Sequence, residues 1–170
     1  MNFTKPAIIA FLALIHSAGA IAQETGQTDK RGYFDVGSTL IKVDGFGQPS
    51  VAFSGRLGGN FSSFLGAEIE AGIGLGDIAG NQTAISVDYY GAGFLVARAP
   101  VSRNVELFGR AGYAATDVSF RGFDLGSANG VAFGGGLKFN FGNTSLRADY
   151  TYADIVDGAH VVGITLGNRF

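Results

Sequence analysis

Apolar and polar positions alternate with a period of two along most of the chain. The clearest stretch is 64–76. Leu65, Ala67, Ile69, Ala71, Ile73 and Leu75 share one face, and Gly66, Glu68, Glu70, Gly72, Gly74 and Gly76 make up the other. Such alternation marks a strand with two unlike faces. It recurs in 105–116, where Leu107, Ala111 and Tyr113 oppose Glu106, Arg110 and Gly112. It recurs again in 131–140, 146–152 and 161–170, where Lys138, Arg147 and Asp149 oppose Leu137, Leu146 and Ala148. Segments 32–43, 50–60 and 84–98 complete the set. In the last, Phe94 and Val96 blur the parity, which a bulge there explains.

These segments are eight expected strands. Links at 61–63, 99–104 and 141–144 are tight or moderate. Those at 44–49, 76–83, 117–129 and 154–159 are mostly longer or more polar. Pro49 and Pro100 fall at connections, as a sheet requires. Regular strands with alternately short and long links fit an all-β fold, an eight-stranded antiparallel up-and-down barrel.

The N-terminal segment reads differently. Lys5 precedes a short apolar run, Ala7 to Ile15, and small residues then end in Ala20-Ile21-Ala22. The run is too short for a spanning helix, which needs about 20 residues. The order of charge, apolar run and A-x-A site is that of a cleaved secretory signal over 1–22. Residues 23–31 are a polar tether, and 32–170 form the barrel domain.

Composition bears on which face meets water. Glycine numbers 28 and phenylalanine 15 of 170 residues, charged residues are only 15%, and Trp and Cys are absent. Typical soluble domains carry roughly 25% charged residues. Absent Cys excludes a disulfide framework and a Cys-based metal site. A net charge of -2 gives no nucleic-acid signal. Parity alone leaves two orientations open, because a soluble ligand-binding barrel also alternates. Three features favour a transmembrane barrel: the low charge count, the missing Gly-x-Trp strand motif of lipocalins, and the aromatic end, Phe170. Phe34, Phe61, Phe64, Phe139, Phe141 and Phe170 cluster near strand ends, and Tyr89, Tyr113, Tyr150 and Tyr152 are candidates for an opposite girdle. A crossing strand takes about 9–11 residues, so eight strands use roughly 80 and sixteen do not fit.

The ordered set L-G-A-E at 65–68, E-L-F-G-R-A-G-Y at 106–113, G-G-G-L-K-F at 134–139, L-R-A-D-Y at 146–150 and the terminal R-F resembles the OmpA-type, porin-family outer-membrane β-barrel domain. The resemblance covers 32–170. It implies a lumen ion-pair network, carried by matching motif onto Glu68, Arg110, Lys138 and Arg147. Glu70 and Asp149 share the inward face and join the candidate set. Lys138 departs from the acidic residue common there, and Asn168 departs from the usual aromatic of the terminal assembly signal, which Phe170 completes. The resemblance further implies export and insertion into the outer membrane, with lipid, lipopolysaccharide and the barrel-assembly machinery as partners of a monomer.

An eight-stranded interior is just wide enough to be filled by side chains. Paired inward charges therefore point to a plugged lumen with a structural or surface-interaction role, and a narrow gated channel is the alternative. No cofactor, metal or nucleic acid is expected. Lipid A-modifying barrels use a His–Ser type pair. His160 is the sole histidine after the signal and has no Ser two residues on, so it reads as a rim histidine and the chain as no enzyme. Gly72-Ile73-Gly74-Leu75-Gly76 lacks the helix that a phosphate cradle needs. The long link 117–129, with Phe120, Arg121 and Phe123, is the expected interaction loop for a surface partner.

Overall fold

The computed structural model describes residues 32–45, 49–77, 85–120, 123–155 and 157–170, with the backbone alone at 76–77, 85–88, 118–120 and 123–126. The expected signal and tether lie outside the described residues.

Eight strands follow one another: β1 (Gly32–Val43), β2 (Ser50–Asn60), β3 (Leu65–Asp77), β4 (Ile85–Pro100), β5 (Val105–Phe120), β6 (Phe123–Phe141), β7 (Thr144–Ala153) and β8 (Ala159–Arg169). Each pairs antiparallel with its chain neighbours, and β8 pairs with β1 to close the barrel. Closure leaves neither β1 nor β8 as a free edge, the condition for a sheet in a medium without water. Gly32, Phe170 and the turns at 61–64, 101–104 and 142–143 form one rim. The opposite rim is called distal here. Gly142, at φ +66°, supplies the left-handed backbone that the two-residue turn between Phe141 and Thr144 requires.

Burial settles which face is which, and it inverts the order of a soluble protein. Leu95 is 66% exposed and Ile164 61%, whereas Glu70 is 3% exposed and Arg147 2%. The network charges and many glycines face the lumen, and most aliphatic and aromatic side chains face outward. The phenylalanines Phe34, Phe61, Phe64, Phe141 and Phe170 are exposed near the chain-end rim. Tyr89, Tyr113 and Tyr150 are exposed toward the distal rim. Their hydroxyls reach Asp117, Asn129 and His160 respectively.

Two expectations are corrected. First, 117–129 is not a loop. β5 and β6 run on together until Phe120 pairs with Phe123, leaving only residues 121–122 between them. Meanwhile β3–β4 pairing stops at Ile73–Tyr89 and β6–β7 pairing at Ala132–Ala153. The upper parts of β4, β5 and β6 thus rise past their neighbours. Beyond the apolar band the two faces no longer meet different solvents, so backbone pairing continues without alternation to announce it. Second, the register shift in β4 falls between Val87 and Tyr89, not near Phe94. Phe94 and Val96 are ordinary inward positions that carry apolar side chains.

Inward glycines are set against bulky neighbours. A Cβ on Gly136 would run into the backbone of Ala148 and Asp149, and one on Gly167 into the Asp35 carboxylate. Outward Gly55 has nothing within 4 Å. Gly136→Val should therefore cost about 1–3 kcal/mol or abolish folding. Gly55→Val should stay within about 0.5 kcal/mol. Urea titration of the two variants in detergent checks the contrast.

A buried charge network as the candidate functional site

Alternate positions of every strand converge on the lumen, so long charged side chains from opposite walls meet there. The distal layer of the network is built from Arg56 on β2, Glu70 on β3, Arg110 on β5 and Asp149 on β7. Arg56 donates from Nε to Glu70 Oε2 at 2.8 Å, and from Nη1 and Nη2 to the two Asp149 oxygens at 2.9 Å each. Arg110 donates to Glu70 at 2.6 Å, to Asp149 at 2.8 Å and to Thr151 Oγ1 at 2.9 and 2.6 Å. Tyr90 adds a hydroxyl to Glu70 at 2.9 Å. Two forked guanidiniums and two carboxylates thus alternate as a closed quartet, the geometry that makes charge-assisted bonds strong.

A second layer lies nearer the chain-end rim. Glu68 accepts from Arg147 Nη1 at 2.5 Å and from Tyr33 OH at 2.5 Å. Arg98 donates to Tyr33 OH at 2.6 Å and lies 3.5 Å from Glu106. Asp35 faces Arg147 at 3.6 Å and Lys138 at 3.8 Å. The layers are linked by Arg110–Glu68 at 3.8 Å and Arg147–Asp149 at 3.7 Å. Aromatic faces lie under the cations. The Arg110 guanidinium sits 4.3 Å from the Phe94 ring, Arg147 3.9 Å from Phe108, and the Lys138 ammonium 4.2 Å from Tyr33. Phe94 and Phe108 therefore give the charges a polarisable floor without competing for hydrogen bonds.

All six sequence-derived candidates, Glu68, Glu70, Arg110, Lys138, Arg147 and Asp149, converge in the lumen. Lys138 is the outlier, since its ion pair is to Asp35 and not to either glutamate. The charged partners Arg56, Asp35, Arg98 and Glu106 and the hydroxyls of Tyr33, Tyr90 and Thr151 were absent from the candidate set. Each sits at an inward parity position, so the signal was present. What parity does not tell is which residue reaches which across the barrel. Among the described residues, the ion-paired lumen groups balance at five cations (Arg56, Arg98, Arg110, Lys138, Arg147) and five anions (Asp35, Glu68, Glu70, Glu106, Asp149). Asp88, which shares the polar parity of Ser86 in 84–98, has its side chain outside the described residues.

The remaining candidates lie at the rims. Phe170 points outward, and its N–H donates to Gly32 O at 2.9 Å, sealing the β1–β8 seam. Asn168 also faces outward. His160 is on the outer face near the distal rim, its Nδ1 2.7 Å from Tyr150 OH and its Nε2 3.3 Å from Asp44 Oδ2. Of the expected interaction residues, the backbones of Phe120 and Phe123 pair with each other. Their side chains, and Arg121 altogether, lie outside the described residues.

A family model described as the outer membrane protein β-barrel domain matches residues 8–170. No curated protein matches the sequence. Among solved structures, the attachment invasion locus protein Ail of Yersinia pestis, in complex with the heparin analogue sucrose octasulfate, is similar. Its TM-score is 0.60 at 20% identity, covering 82% of this chain and 98% of Ail. The N-terminal β-barrel domain of Pseudomonas aeruginosa OprF gives 0.65 at 13% identity, covering 85% and 100%. OprG from the same organism gives 0.59 at 16%, covering 82% and 96%. At these identities the likeness is one of fold.

Proposed function

The chain belongs to the outer membrane protein β-barrel domain family, and on that premise we propose that it is a plugged barrel whose task is envelope support and display at the cell surface. The family places it in the outer membrane. The observation that carries the proposal is the Arg56–Glu70–Arg110–Asp149 quartet, which crosses the lumen with every member buried. Opening a path through it means separating ions already withdrawn from water, at a cost of several kcal/mol per ion. Export under a signal cleaved near Ala22 and delivery by the barrel-assembly machinery, with Phe170 in its recognition signal, complete the reading.

Display is assigned to the part of β4–β6 that outruns the rest of the wall. It stands above the tyrosine positions and so beyond the apolar band. Lipopolysaccharide surrounds it there, and Phe120 and Phe123, with Arg121 between them in sequence, are the residues proposed to meet a surface partner. The protein acts as a monomer without cofactor and performs no catalysis in this reading.

Purified protein in planar bilayers tests the plug. It should give no sustained discrete conductance steps. Regular openings would transfer the assignment to a narrow gated channel. Deletion of 120–126 tests display. The variant should still shift on a gel between boiled and unboiled samples, but should lower adhesion or serum resistance. An unchanged phenotype counts against the tip.

A further inference from the structure

Every lumen carboxylate of the quartet, and Glu68, accepts direct hydrogen bonds. Asp35 does not. It is 0% exposed, yet both its oxygens lack a donor within hydrogen-bond distance. Its ion-pair partners, Arg147 Nη1 at 3.6 Å and Lys138 Nζ at 3.8 Å, are beyond that distance. Two more buried polar atoms on the same side of the lumen share this condition, Ser145 Oγ and Arg147 Nε.

The register brings these groups together. Asp35 pairs with Gly167, and Gly167 pairs with Ser145. Gly167 has no side chain, and its Cβ position is where the Asp35 carboxylate lies. Asp35 thus leans over β8 toward β7, which carries Ser145 and Arg147 as successive inward residues. Lys138 is the cross-strand partner of Arg147. The Arg147 guanidinium and the Lys138 ammonium thus lie within 4 Å of the Asp35 carboxylate, and the register sets the Ser145 hydroxyl in line with it across Gly167, in the chain-end half of the lumen.

We propose that this region is a binding site for ordered water, which bridges Asp35 to Ser145, Arg147 and Lys138. A buried polar group left unsatisfied is costly, and a buried water characteristically makes about three bonds to such groups. The site offers that number with both donors and acceptors. A metal cation does not fit, because Lys138 and Arg147 repel it. An anion does not fit beside Asp35. Water is the ligand that can accept from the cations and donate to the carboxylate at once.

The test is a high-resolution crystal structure of the refolded protein, with water-oxygen magnetic relaxation in micelles on the same sample. The expected result is at least one water within hydrogen-bond distance of Asp35 and one other member, and a slowly exchanging water signal. Ser145→Ala removes one partner without altering charge and should reduce that signal. Asp35→Leu/Lys138→Leu should eliminate it where the variant folds. A direct Lys138–Asp35 hydrogen bond with no bridging water, or a signal unchanged in Ser145→Ala, overturns the proposal. Neither outcome bears on conductance, so it stands or falls apart from the plugged-barrel reading.

Discussion

Arg110→Met should lower the stability of the folded barrel by about 3–5 kcal/mol, the cost of removing one partner from a buried ion pair. Arg110 links both anions of the quartet, Glu70 and Asp149, and holds Thr151 as well. Methionine keeps much of the volume and the contact with Phe94 but leaves the lumen one negative charge in excess. Glu70 keeps Arg56 and Tyr90, and Asp149 keeps Arg56, so the loss should fall toward the lower end of that range. Adding Asp149→Asn restores neutrality. The double variant should be more stable than the sum of the single losses, with a coupling of about 0.5–3 kcal/mol. Urea unfolding in lipid or detergent measures all three. Strict additivity would mean that the pair contributes nothing through its charges.

Ile164→Arg should cost about 2–4 kcal/mol in a bilayer, the range for a cation at the midplane of a lipid-facing strand. Ile164 sits between Ala148 and Ser38 in register, in the middle of the apolar exterior. The same substitution on a water-exposed barrel would stay within about 0.5 kcal/mol. Unfolding titrations in bilayers therefore read out the solvent of the outer face directly. A loss confined to tenths of a kcal/mol would contradict the assignment of that face to lipid.

Much of the architecture was legible because lipid and lumen impose opposite demands on adjacent residues. Where both act, as in Leu65–Leu75, parity gave the face of each residue. The bounds of β1 and β2 were expected as found, since Asp44-Gly45 and Pro49 mark the ends of periodic segments. The extension of β5 and β6 was missed, because outside the lipid the two faces are no longer distinguished. Phe94 was obscure as a lumen residue, whereas Phe108 shares the parity of Glu106 and Arg110 and falls on their face. The inward placement of Phe94 fits its stacking under Arg110, a contact between strands and not a pattern within one. Lys138 was recognised as inward and anomalous, yet its partner Asp35 is distant in sequence and lies across the barrel. Periodicity assigns a residue to a face; it carries no information about who stands opposite.

The β1–β8 seam has a consequence for how the chain can be cut. Every other pairing joins strands adjacent in sequence, so each needs only a short loop to close. The seam alone joins the two ends of the domain, and Phe170 N–H already bonds to Gly32 O across it. The barrel is therefore a ring with one nick. Joining 170 to 32 by a short linker and opening the chain at 101–104 would keep all eight pairings and move the long-range closure to β4–β5. The slowest zippering step would then migrate around the wall to strands whose first contact is now local, while the finished barrel stayed the same.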